Sequence, residues 1–409
     1  MRLAFWKKKK KEENPKKKKP VWREWIDAAL FAIIAATIIR TFFIEAYTIP
    51  SGSMEGTMLV NDYLFVSKVA YGPRMPMTPL AVPLVHNTMP LTGGKSYSEA
   101  VQWKYRRLPG FGKIKRYDVV VFNFPNNDTV MTEHPADDYY AAIRVNGRDL
   151  VWNNFKIITR PVDKKENYIK RCVGVPGDLI ELRDAALYVN GEKGSVFPHQ
   201  RLDYRVLAQP GFFLSNDFAA EHHIVVKHAA TGGFIYEMEH ETVATVAKLP
   251  GVLSVSPFVE QRGEVNGPSG TAVYPQDPER FQWNQDNYGP IRIPAKGSTI
   301  ALTPENVSLY RRAIQVYEHN TFEDRNGVYY INGKEAKEYT FKMDYYWLMG
   351  DNRHNSADSR FWGFVPEDHV VGKASFVWLS YGNSATNNPY NEGGIRWGRL
   401  LRGVGSLQK

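Results

Sequence analysis

The sequence predicts a mostly-β fold: a β scaffold that carries an inserted β-rich domain and is preceded by one N-terminal transmembrane helix. Three observations carry that prediction. Short runs rich in β-branched and aromatic residues recur along the chain, Asn-Gly pairs separate several of them, and one apolar stretch of spanning length follows a lysine-rich tail. At 409 residues the chain has room for two or three globular units.

The elements follow in chain order. Residues 1–24 hold eleven basic and three acidic side chains, of 52 Lys+Arg and 43 Asp+Glu in all, so the formal net charge of +9 is almost entirely one tail. The remainder is near neutral, which excludes a separate basic domain for nucleic acid; the tail reads as a solvated arm or as an orienting signal beside a membrane. Trp25 to Ile44 reads as the membrane span. Its uncharged part, Ala28 to Ile39, is only twelve residues, short of the ~20 that a bilayer requires. Spanning therefore needs Asp27 among headgroups on one side and Arg40 snorkelling to the other. A cleaved signal peptide and a buried core helix are the competing readings. The flanks favour insertion, because no Lys or Arg occurs between Thr41 and Ser67. That asymmetry places the N-terminus in the cytoplasm and the rest outside. The later apolar run from Val370 to Ser380 is broken by Lys373 and reads as a strand, so the expected topology is single-pass.

Beyond the span, Tyr63–Ser67, Asp118–Phe124 and Gly327–Ile331 read as strands, and Asn146-Gly147, Asn190-Gly191 and Asn332-Gly333 as hairpin turns. One helix is expected near residue 304, with Thr303 as its cap, Pro304 at its first position, and Val307, Tyr310, Ile314 and Tyr317 at helical spacing. The Pro/Gly-rich stretches 73–112 and 183–340 read as insertions. The expected organisation is a tail over 1–24, a helix over 25–44, a scaffold over 45–182 and 341–409, and an inserted domain over 183–340. Leu187–Glu192 and Tyr330–Lys334 look alike, which shared turn chemistry explains better than a repeat. The single cysteine, Cys172, excludes an intramolecular disulfide and says nothing of compartment.

Several familiar motifs fail on inspection. Gly94-Lys95-Ser96 lacks the first glycine of a phosphate-binding loop, since Met89 stands there. His222, His223, His228 and His240, with Glu221, Glu237 and Glu239, lack the H-E-x-x-H spacing for zinc, and no serine sits in a G-x-S-x-G elbow. No metal and no cofactor is expected.

Four segments remain. Ile49-Pro-Ser-Gly-Ser-Met54, Arg116-Tyr-Asp-Val-Val-Val-Phe122, Tyr168-Ile-Lys-Arg-Cys-Val-Gly-Val-Pro-Gly-Asp178 and the run Met349 to Pro366, with Gly-Asp-Asn-Arg-His-Asn-Ser at its start, resemble in order the sequence boxes of bacterial type I signal peptidases. The resemblance implies a signal-peptidase-like β catalytic domain working through a serine–lysine dyad. It makes Ser53 the nucleophile and Lys170 the general base. Ser51 and the Ser53 amide would form the oxyanion hole, and Ser356 would orient Lys170. Ile49, Pro50, Met54, Tyr168 and Ile169 fall on positions that line the pocket for the small residue before the cut, and Asp351, Arg353, Asp358 and Arg360 on positions that buttress the site. Gly56 and Met58 depart from residues frequent in the family. The implied substrates are exported preproteins cut after A-x-A-like sites, at the inner membrane of a bacterium, with membrane lipids and the translocation machinery as further partners.

The residues support that chemistry in their own right. A serine hydroxyl attacks only when a neighbouring base removes its proton, and a lysine serves only when neutral. From a free pKa near 10.4, Lys170 must fall by roughly 2–3 units, which desolvation among Tyr168, Ile169, Cys172, Val173 and Val175 would supply. Ser53 lies nine residues past Ile44, which limits its distance from the span to ~30 Å at ~3.3 Å per residue. A self-cleaving Ser–Lys regulator would need a helix-turn-helix in place of the anchor. A catalytically silent, membrane-tethered β scaffold that binds exported chains is the reading from a different class, and the intact dyad and support positions argue against it.

Overall fold

The computed structural model describes residues 20–230, 233–265, 272–382, 390 and 393–408; most of the basic tail, residues 1–19, lies outside the described residues. Helix α1 runs Val21–Phe42, so it begins four residues before the expected span and ends two before it. Ala28, Ala29, Ala32, Ala35 and Ala36 suit a helix, and Thr37 satisfies its hydroxyl by donating to the Ile33 carbonyl at 2.7 Å. None of its residues is buried, and its 22 residues match the thickness of a hydrocarbon core at ~1.5 Å per residue. It stops because Ile44 already pairs with Ser67 in the sheet. Arg40 in its last turn reaches Glu45 at 2.6 Å.

The central sheet is built from β1 (Ile44–Thr48), β2 (Asp62–Ser67), β3 (Val119–Asn123), β4 (Asn167–Gly174), β5 (Tyr345–Met349), β6 (Val365–Pro366) and β7 (Val370–Gly382), in the antiparallel order β1-β2-β7-β3-β4-β5-β6. The mostly-β class and the strand reading of Val370–Ser380 hold. One face packs Ile49, Met54, Met58, Val119, Val121 and Val377; the other packs Val120, Phe122, Cys172, Leu348 and Trp362. The alternation along β3 follows from the two-residue period of a strand.

Within 183–340 there are two packings. Strands Val225–Ala230, Gly233–Glu239, Arg201–Ala208 and Val252–Pro257 form, in that order, a four-stranded sheet with its own core around Leu202, Tyr204, Val206, Tyr236 and Met238. Residues from Tyr288 to Phe341 instead share a core with Val173, Tyr345 and Trp347 of the central sheet. The 73–112 segment is held by isolated bridges and by Arg107, which donates to the Glu367 and Val370 carbonyls.

Two local expectations change. Asn146-Gly147 is no hairpin turn but the joint between helices Tyr139–Asn146 and Arg148–Asn154; Asp138 caps the first by accepting from the Tyr140 and Ala141 amides, and Gly147 ends it at φ 83°. The later helix begins at Val307, not Pro304, because Asn306 folds back to the Thr303 amide and the Ala301 carbonyl and closes a turn first. Tyr310, Ile314 and Tyr317 are buried as their spacing requires. Asn190-Gly191 and Asn332-Gly333 are the tight hairpins expected, with positive φ at all four residues.

Gly56 occupies a position where a side chain does not fit. Its φ is +97°, and a Cβ there would lie 1.9 Å from the His199 carbonyl oxygen. Gly56→Ala is expected to lower the melting temperature by several degrees, about 1–3 kcal/mol from backbone strain alone. Gly177→Ala, at φ +89° with nothing within 4 Å, should cost less; equal losses in calorimetry would show that the His199 contact is unimportant.

Candidate active site

The sheet brings the two expected reactive residues together from 117 positions apart. Ser53 sits in a single helical turn, Gly52–Met54, just after β1, and Lys170 lies in β4 opposite Val120. Lys170 Nζ is 2.7 Å from Ser53 Oγ and 3.0 Å from the Ile169 carbonyl. Both residues are buried, at 4% and 9% exposure. Burial pulls the Lys170 ammonium down to about 8, against the opposing pull of Asp358 and Asp351.

Those aspartates do not capture the lysine's charge because each is already committed. Asp351 accepts from Arg171 Nε at 2.7 Å and Nη2 at 2.5 Å, with both residues essentially unexposed. Arg171 also donates to Thr57 Oγ1 at 3.0 Å and to the Tyr117 carbonyl at 2.9 Å, which ties β4 to the segment after Ser53. Asp358 accepts from Arg360 Nε and Nη2, both at 2.8 Å. Burial would raise either carboxyl, yet the arginines hold both below the ordinary range. Arg353 is pulled down to about 10 by burial and by Arg360.

The remaining expected residues are placed as follows. Ser51 Oγ lies 3.5 Å from Ser53 Oγ. Ser356 Oγ donates to Asp358 Oδ2 at 2.9 Å, so in this structure it reaches the neighbourhood of Lys170 through that carboxylate. Ile49 and Met54 are packed in the core at 2% and 0% exposure, with Ile169 against them, and Pro50 is exposed. Tyr168 stacks on Phe124 at 4.5 Å between ring centres, and its ring centre is 5.7 Å from Lys170 Nζ. Cys172 is fully buried, and desolvation pushes its thiol well up, so it stays protonated.

Several supports have no signal in the sequence. The Asn352 amide donates to the Ser53 carbonyl at 3.2 Å, and Gly350 admits that approach because a Cβ there would sit 2.5 Å from the Ser53 oxygen. Asn352 Nδ2 donates to Glu237 Oε1 at 2.9 Å, and the Arg201 amide donates to the Asp351 carbonyl at 3.0 Å. His354 is clasped between Asp286, 2.8 Å away, and Asp203. Burial opposes its charge, but those hydrogen bonds overcome it and push its pKa up to about 9. The four-stranded sheet thus grips the loop that holds the Ser53 carbonyl. His199, Glu239 and Glu241 lie close enough to share a cation, and here His199 Nδ1 bridges the two carboxylates at 2.9 and 3.1 Å.

A β scaffold that sets a buried lysine against a serine hydroxyl is an arrangement suited to the chemistry of a serine endopeptidase, the class that the family match indicates. The family described as Signal peptidase, peptidase S26 matches residues 22–221 and 292–379, and the chain belongs to that family. The unmatched gap, 222–291, takes three of the four strands of the separate four-stranded sheet. The chain is 24% identical to signal peptidase I of Haemophilus influenzae over 92% of its own length and 74% of that protein's. It is 24% identical to signal peptidase I of Helicobacter pylori over 92% and 91% of the two chains, and 23% identical to that of Aquifex aeolicus over 88% and 84%.

Burying Lys170 costs stability, and the sign is fixed by its lowered pKa. The folded state binds fewer protons than the unfolded one between about 8 and the ordinary value of 10.5, so the cost is complete below pH 8 and is relieved as pH rises. Lys170→Met is therefore expected to stabilise the fold at pH 7 by roughly 1–3 kcal/mol, read by denaturant unfolding in detergent. A destabilised variant would show that burying the lysine carries no net cost.

Proposed function

We propose that α1 anchors this chain in the inner membrane of a bacterium, tail in the cytoplasm, and that the domain outside removes signal peptides from exported preproteins after small residues, with Ser53 as nucleophile and Lys170 as general base. Signal-peptide removal by a serine peptidase is the activity of the family; the dyad, the A-x-A-like preference and the topology are this reading's own. The observation that carries it is the 2.7 Å contact between Ser53 Oγ and a buried Lys170 whose pKa lies near 8. A lysine so tuned is neutral often enough at pH 7–8 to accept a proton and acidic enough to return it.

The steps follow from these positions. Neutral Lys170 takes the Ser53 proton as Oγ bonds to the scissile carbonyl carbon. The oxyanion is met by the Ser51 hydroxyl and the Ser53 amide, whose place in the first turn of a helix leaves it without an intrahelical partner. Lys170 then gives its proton to the leaving amine, which departs as the mature protein. Water, deprotonated by Lys170, attacks the acyl-enzyme and releases the signal peptide, restoring the Ser53 hydroxyl. Ser356 would orient Lys170 once its hydroxyl turns from Asp358 toward the ammonium, while Ile49, Pro50, Met54, Tyr168 and Ile169 line the pocket for the small residue before the cut. Headgroups contact the tail, and the preprotein arrives from the translocation machinery.

Ser53→Ala and Lys170→Ala are each expected to lower preprotein processing by at least ~10³-fold, with the wild-type cut located by mass spectrometry; full activity in either variant contradicts the dyad. With chemistry rate-limiting, kcat/KM should rise with pH to a plateau, with a midpoint near 8, as Lys170 loses its proton. Lys165 is also buried and pulled down to about 8, so the limb must persist in Lys165→Gln. Its disappearance there would assign the titration to the wrong lysine.

A further inference from the structure

Where α1 meets the scaffold, a cavity of about 220 Å³ opens between the last turns of the helix, the paired ends of β1 and β2, the 74–86 segment and the turn before β4. Arg40, Lys68, Arg74 and Lys164 line it, against the carboxylates of Glu45 and Asp163. Glu45 is committed to Arg40 at 2.6 Å and Lys68 at 2.8 Å, which hold its carboxyl down at about 2 although burial would raise it. Asp163 gives its oxygens to the Met77 and Thr78 amides and the Thr78 hydroxyl. Arg74 donates to the Asp368 carbonyl at 2.5 Å and to Asn123 Oδ1 at 2.7 Å, and Lys164, 8% exposed, lies over the Tyr97 ring at 5.6 Å. Among the described residues neither Arg74 nor Lys164 makes an ion pair.

Four cations face two carboxylates across this cavity, and both carboxylates are already engaged, Glu45 by Arg40 and Lys68 and Asp163 by the Met77 and Thr78 amides, so buried Lys164 and half-buried Arg74 leave the cavity short of negative charge. Desolvation pulls both below their ordinary values, against the opposing pull of Asp163. The nearby C-terminal end of α1 presents carbonyl dipoles that disfavour an anion, so any attraction comes from the side chains. Depth supplies the second observation. A helix with no buried residue ends at this cavity and contributes Thr37, Arg40 and Thr41 to its wall.

We propose that this cavity is a phosphate site at the membrane surface, occupied by the headgroup of an anionic phospholipid. The proposal rests on the reading of α1 as a membrane anchor, and the test separates the two. Full-length protein in detergent, offered phosphatidylglycerol or phosphatidylcholine, is examined by native mass spectrometry. Wild type is expected to retain one phosphatidylglycerol per chain in preference to phosphatidylcholine. Retention should fall at least tenfold in Lys164→Gln and in Arg74→Gln, survive in Lys164→Arg, and be unchanged in Lys193→Gln on a distant exposed strand. Cooperative melting in lipid-free detergent confirms that each variant is folded. Soluble glycerol phosphate forms the second arm: protection of wild type by it, without preference for the lipid, would overturn the lipid source while retaining the phosphate site. Equal behaviour of wild type and both neutral variants toward every probe overturns the site. Release of the protein from membranes by carbonate would defeat the anchor reading alone, and the glycerol phosphate arm would then still judge the cavity.

Discussion

A lysine kept out of water beside two aspartates, without either aspartate holding its proton, is the constraint on which the rest of this structure depends. Desolvation alone would pull Lys170 down, and a free carboxylate nearby would push it back up. The conflict is resolved by giving Asp351 to Arg171 and Asp358 to Arg360 in two-pronged contacts, so that the field at Lys170 Nζ is that of two compensated pairs. Pairs of this kind are costly to bury and contribute little net stability. Their value here lies in electrostatics and placement. Arg171 fixes the strand that carries Lys170, and Asp358 receives both Ser356 and the Gly350 amide.

Ser53 is constrained from the opposite side. Ser53 occupies one helical turn with little intrinsic stability, and its carbonyl is held by the Asn352 amide across Gly350. The inserted sheet reaches the same loop through Arg201, Glu237 and the Asp203–His354–Asp286 clasp, while His199 abuts Gly56 three residues past Ser53. Most of this sheet falls in the stretch where the family pattern lapses. It braces the loop that holds Ser53, and its neighbourhood sets what Gly56 and His354 must fit.

Much of the fold was legible because its signals are local. The apolar span, the alternating strands and the Asn-Gly turns at 190 and 332 depend on neighbours in sequence. Ser53 and Lys170 were legible through their motifs. Where sequence reasoning failed, nonlocal or side-chain competition decided. Asn146-Gly147 has the composition of a hairpin, but Asp138 caps a helix before it. Thr303-Pro304 has the form of a helix start, but Asn306 closes a turn first. The contact of Asn352 with Glu237 spans 115 residues and leaves no periodic trace. The partner of Ser356, Asp358 and not Lys170, is a matter of rotamer and is invisible to spacing.

The central claim is that burial, with both neighbouring aspartates neutralised by arginine, lowers the Lys170 pKa far enough for a usable fraction of it to be neutral near physiological pH. The most direct measurement is an NMR titration of the Lys170 side-chain Cε and Nζ signals in Ser53→Ala protein, assigned by their loss in the Lys170→Met companion. The account predicts a midpoint near 8. A midpoint at the ordinary lysine value, near 10.5, would contradict it.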